Sequence, residues 1–134
     1  MKSILIATLG TAAMLASAAA LGESVTLTGA NEVPAVSGSA AGSGTVTINA
    51  DKTVTADITV TGMTATAAHI HQGAAGANGK VVVPFEKSGD NHFVAPAGSK
   101  LSDEAFEAYK KGDLYVNVHS KEHPGGELRA QLKP

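Results

Sequence analysis

The chain has 134 residues, ten basic and twelve acidic side chains for a formal net charge of −2, five histidines and no cysteine. A charge this near zero, with no basic run longer than Lys110-Lys111, leaves no electrostatic footprint for nucleic acid or for an anionic membrane surface. The absence of cysteine excludes thiol nucleophiles, thiolate metal sites and disulfide staples, so stability has to come from packing and sheet hydrogen bonding.

Residues 1–20, MKSILIATLGTAAMLASAAA, have the three-part layout of a cleavable export signal. Lys2 is followed by an apolar stretch from Ile4 to Leu15 and by small residues closing on Ala18-Ala19-Ala20. The stretch is too short and too rich in alanine to cross a bilayer core of about 30 Å. No membrane span is expected, and the mature protein is placed in the periplasm or outside the cell. Cleavage after Ala20 leaves Leu21–Pro134, a single small domain. With three Phe, two Tyr and no Trp, its core must be built from Val, Ile, Leu and Ala.

From there most segments alternate apolar and polar residues, the mark of half-buried antiparallel strands. SVTLTGA sets Val25 and Leu27 inward, and GTVTINA does the same for Val46 and Ile48. In TVTADITVTG, Val54, Ala56, Ile58 and Val60 share one face. The tight polar turn NADK between the last two makes them a hairpin. TAAHIHQ, KVVVPFE, NHFVAP, DLYVNVHS and GELRAQL supply further strands. PAVSGSAAGSG and GAAGANG are surface loops. GAAGANGK carries the glycines of a phosphate-cradling loop but lacks the following Ser/Thr and helix.

One helix is predicted in LSDEAFEAYKKGD. Ser102 is its N-cap, Asp103 and Glu104 complement the dipole, Leu101 and Phe106 form a staple, and Gly112 is the stop. The fold class is therefore all-β: an antiparallel sandwich or barrel with one short helix in a crossover loop.

The chemistry centres on AAHIHQG. Residues two apart in a strand face one way, so His69 and His71 share a face while Ile70 anchors the other. Their Cα atoms would lie about 6.6 Å apart, close enough for both imidazoles to bind one ion at about 2.0–2.1 Å. In DLYVNVHS, His119 sits on the polar face of a buried strand and can complete a three-histidine set. Three imidazoles without thiolate or carboxylate suit copper first and zinc second, not calcium or magnesium. His123 in KEHPGG and Met63 before the pair are possible additional ligands, although a methionine there more often fills a core gap. His92 in NHFV fits a surface or hydrogen-bonded structural role. Glu127, Arg129 and Gln131 share a face that is read as a solvent-facing stripe, with a Glu–Arg pair supporting a histidine as the alternative.

AAHIHQGAAGANGKVVVPF followed by GDLYVNVHSKEHPGGELRAQL resembles the CHRD domain family, as do LTGANEVPAV and SGTVTI near the start. The resemblance covers nearly all of residues 21–134 and implies an immunoglobulin-like or superoxide-dismutase-like antiparallel β fold. The His-x-His with a distant third histidine is also similar to the copper half of copper/zinc superoxide dismutase. That enzyme's bridging histidine, zinc-site aspartate and disulfide are not assigned in this chain. The expected function is an exported protein that sequesters or delivers a metal ion, with a periplasmic protein as a further possible partner. The alternatives are an interaction or matrix module with structural histidines, and a dismutase-like copper redox enzyme.

Overall fold

The structure is a computed structural model that describes residues 22–134. The export-signal reading of residues 1–20 lies outside the described residues. One antiparallel sheet contains β1 (Glu23–Leu27), β2 (Ala41–Ile48), β3 (Val54–Thr61), β7 (His92–Val94) and β6 (Glu86–Gly89), in the order β1-β2-β3-β7-β6. The second, also antiparallel, contains β5 (Lys80–Pro84), β4 (Ala65–Gln72), β8 (Leu114–Ser120) and β9 (Leu128–Gln131), in the order β5-β4-β8-β9. The helix α1 (Asp103–Lys110) lies on the crossover from β7 in the first sheet to β8 in the second.

The core lies between the sheets and follows the alternation. Val25, Leu27, Val46, Ile58, Val60 and Phe93 enter from the first sheet. Ala68, Ile70, Val83, Val116, Val118, Leu128 and Ala130 enter from the second. Ile70, Val116 and Val118 are fully excluded from solvent, and burial of side chains this size contributes about 1.5–3 kcal/mol each. Ile70 thus fixes the rotation of β4 and turns both of its histidines to the opposite face.

The helix forms as its caps dictate. The Ser102 hydroxyl accepts from the Ala105 N–H, and Gly112 at φ +79° takes the left-handed conformation just past the helix end. Leu101, Ala105 and Ala108 are buried beneath it. Among the described residues, no helix is long and apolar enough to cross a membrane.

Two elements differ from expectation. β2 begins at Ala41, within the segment read as a loop, because Ala41–Gly44 pair with β3 and Gly42–Gly44 also pair with β1. Gly42 has to be small there, since Val60, Leu128 and Leu27 fill the space a side chain would take. β6, all of it exposed, is a separate edge strand made by its pairing with β7 and has no apolar alternation to announce it.

Candidate metal centre

β4 and β8 are neighbours, and their register sets Ala67 opposite His119, His69 opposite Asn117 and His71 opposite Tyr115. His119 is therefore one step diagonal from His69 on the outer face of the second sheet. The rings of His69 and His119 lie 4.8 Å apart and those of His69 and His71 5.3 Å, both edge-to-face. One ligand nitrogen from each of His69, His71 and His119 lies within 4.8 Å of the others. Bonds of about 2.0–2.1 Å to one ion hold ligand nitrogens about 3.3–3.6 Å apart in tetrahedral or trigonal geometry.

Backbone carbonyls assign the tautomers of the neutral rings. His119 Nδ1 lies 2.9 Å from the Pro124 oxygen, which only accepts, so its proton sits on Nδ1 and Nε2 keeps its lone pair. That Nε2 is 3.0 Å from His69 Nδ1, which must then donate to it. His71 Nδ1 donates to the Gly79 oxygen at 3.0 Å. Its Nε2 is buried and has no hydrogen-bond partner. Outer partners that fix the ring and its tautomer in this way are the usual support of a ligating histidine.

The Gly79 carbonyl can reach His71 because the Gly73–Gly79 loop folds back onto β4. A Cβ at Gly79 would collide with the Gln72 carbonyl oxygen, so only glycine permits the return.

The outer face on the His71 side of the cluster is covered, not open. Arg129 is 1 % exposed, which corrects the solvent-facing stripe expected at Glu127, Arg129 and Gln131. Arg129 Nη2 donates to the carbonyls of Ala74 and Ala77 at 3.0 and 2.8 Å, and its guanidinium sits 3.5 Å from the Tyr115 ring centroid. Gln131 Nε2 donates to Gly73 and Gly112, and Glu127 accepts from the Ser120 hydroxyl. Outward parity was right, but a loop and a turn lie over that face. The turn is Gly29–Asn31, placed where Thr28 and Arg129 exchange backbone hydrogen bonds, and it carries Glu32 into the same layer. Glu32 is 6 % exposed. Gly126, at φ +124°, leaves room for it: a Cβ there would strike the Glu32 carboxylate and lie 2.7 Å from Asn117 Nδ2. Glu32 and the role of Tyr115 had no local sequence signal, since both depend on this layer closing.

The electrostatics follow from burial. Desolvation, reinforced by His119 and His71, lowers the His69 pKa to about 4. His71 is lowered as well, chiefly by burial, against the opposing Gly79 hydrogen bond and the Asn117 side chain. Burial raises Glu32 to about 7, opposed by Arg129 and Asn117. A histidine with a depressed folded pKa contributes stability that is complete above its unfolded value of about 6.5 and is lost as pH falls through the folded one. His69 therefore weakens the metal-free fold between about pH 6.5 and 4. Glu32, raised, acts oppositely: its contribution is present below about 4.5 and lost as pH rises through about 7. Thermal melts at pH 7 and 4.5 are expected to show a larger drop for the parent than for His69→Gln; equal drops would contradict the assignment.

The other histidines and Met63 stand apart. Met63 and His123 line a shallow hollow with Glu122 and Glu127 that none of His69, His71 and His119 lines. His92 Nε2 is 2.8 Å from Asp57 Oδ1 on the first sheet, the hydrogen-bonded structural role expected of it.

A family model described as the CHRD domain matches residues 24–132, and the chain belongs to that family. No curated protein and no solved structure matches it significantly.

Proposed function

We propose that this CHRD domain is an exported metal-binding protein that sequesters or delivers an ion, copper first and zinc second, through His69, His71 and His119. The observation that carries the reading is His71 Nε2, a buried lone pair with no partner in a cluster of nitrogens within 4.8 Å. An unsatisfied buried polar atom costs about 1–3 kcal/mol, and an ion satisfies it. Three neutral imidazoles with no carboxylate among them fit copper or zinc. Arg129, buried behind Tyr115, adds no ligand but disfavours a protonated His71. His69 and His119 are each half-buried, which leaves a side open to incoming donor atoms. That access suits cargo exchanged between proteins, with a periplasmic protein as the partner. The export step rests on residues 1–20 as a cleaved signal and 21–134 as the mature domain.

At a free concentration 100 times Kd, a true site raises stability by about 2.7 kcal/mol, a rise in Tm of roughly 10 °C for a domain this size. Melts with Cu(I), Cu(II) and Zn(II) are expected to show that shift for at least one ion. No shift with any of them would sink the proposal.

A second reading is favoured by the His69–His119 hydrogen bond and the Pro124 contact, which complete the His119 ring and hold one nitrogen of His69 without an ion. On that reading the domain is an interaction or matrix module with structural histidines, and metal leaves Tm unchanged. The dismutase-like reading rests on ligand types alone. Copper-loaded protein that cycles its copper but turns over neither superoxide nor peroxide would count against it.

A further inference from the structure

We propose that Tyr115 and Arg129 are positioning residues that hold His71 in its metal-competent tautomer by pinning the Gly73–Gly79 loop. The inference rests on the metal-binding reading above.

The Nδ1–H of His71 is held by one carbonyl, that of Gly79. A carbonyl at the end of a glycine-rich loop is a poor fixture unless the loop is itself held. Two side chains from neighbouring strands hold it. Arg129 on β9 forks onto Ala74 and Ala77 in the middle of the loop. Tyr115 on β8 accepts the Gly79 N–H on its hydroxyl at 3.0 Å, fixing the residue whose carbonyl meets His71.

Tyr115 also meets His71 directly. The two rings stack in parallel, 2° from coplanar orientation and 4.9 Å between centroids. Tyr115 therefore controls the ring twice, by its face and through Gly79. Arg129 touches the same Tyr115 ring from β9, while His71 approaches from β4 on the other flank of β8. The three side chains and the loop form one unit that presents the Nε2 lone pair.

The tautomer is the sensitive quantity. The hydrogen bond made by one ring nitrogen decides which nitrogen of a neutral imidazole carries the proton. With the proton on Nε2, the remaining lone pair faces Gly79 and not the other histidines. His119 is an internal control, because its Nδ1 is held by Pro124 in a different loop.

The test uses Tyr115→Phe, which keeps the stacked ring and removes only the acceptor for Gly79 N–H. Long-range nitrogen–proton spectra of the metal-free protein should show His71 as a single Nδ1–H tautomer in the parent. The variant should show a mixture of tautomers, with His119 unchanged. Affinity for Zn(II), measured against a competing chelator, is expected to fall about 10–100-fold. Arg129→Met, which removes the donor to both carbonyls, is the second variant and should show the same signature. A tautomer mixture confined to His71 in either variant supports the proposal. A single Nδ1–H tautomer retained in both overturns it, even if the parent binds zinc. If the parent binds neither zinc nor copper while the tautomer still shifts, the positioning role stands and the metal-binding reading falls.

Discussion

Replacing His69 and His71 together by alanine is expected to lower affinity for the cognate ion by more than about 1,000-fold. Four-ligand structural zinc sites bind with about 10–16 kcal/mol, or roughly 2.5–4 kcal/mol per ligand, and each 1.4 kcal/mol is tenfold. Two lost imidazoles exceed that threshold comfortably. His71→Ala alone should cost about 100-fold, since it removes the nitrogen that has no other partner. His92→Ala is the control: its partner is Asp57 on the other sheet, so affinity should not change. Competition titrations against chelators measure all three. A double variant that binds as tightly as the parent would remove the site from the account.

Arg129→Met is expected to destabilise the metal-free protein by about 2–4 kcal/mol, the order for removing a buried charged donor that serves several acceptors. The side chain is 1 % exposed. Its loss strips the Ala77 carbonyl of its Arg129 donor, leaves Ala74 with the Ala77 N–H alone, and leaves buried Glu32 without the cation that favours its ionised form. Against a total stability of about 5–15 kcal/mol for a small domain, that is a large fraction. Urea unfolding should show it as a lower midpoint at unchanged slope. A change within about 0.5 kcal/mol is what a solvent-facing arginine would give, and it would contradict the covered face described here.

The contrast between the histidine pair and Arg129 shows what the chain discloses about its own fold. The sandwich was readable because period-two alternation is local: Val54, Ile58 and Val60 are buried as their spacing requires. The helix was readable from Ser102 and Gly112, which act within one turn. That His69 and His71 share a face follows from the same parity. The partnership with His119 does not, because it depends on the β4–β8 register, a contact between residues 50 apart in sequence. Family resemblance suggested that partnership, whereas local pattern alone left it open. For Arg129 the parity was right and the exposure wrong, because alternation reports which way a side chain points and not what lies above it. The cover is made by Gly73–Gly79 and the turn at Gly29–Asn31, tertiary features that no window of sequence encodes. Glu32 was missed for the same reason.

The most direct measurement is anomalous diffraction from crystals of the mature protein grown with one equivalent of Cu(II) or Zn(II). The predicted result is a single strong peak about 2.0–2.1 Å from Nε2 of His71, Nε2 of His119 and a ring nitrogen of His69, with the hydrogen bond between His69 and His119 broken. A fully occupied peak elsewhere, or no peak while that 3.0 Å hydrogen bond persists, would contradict it.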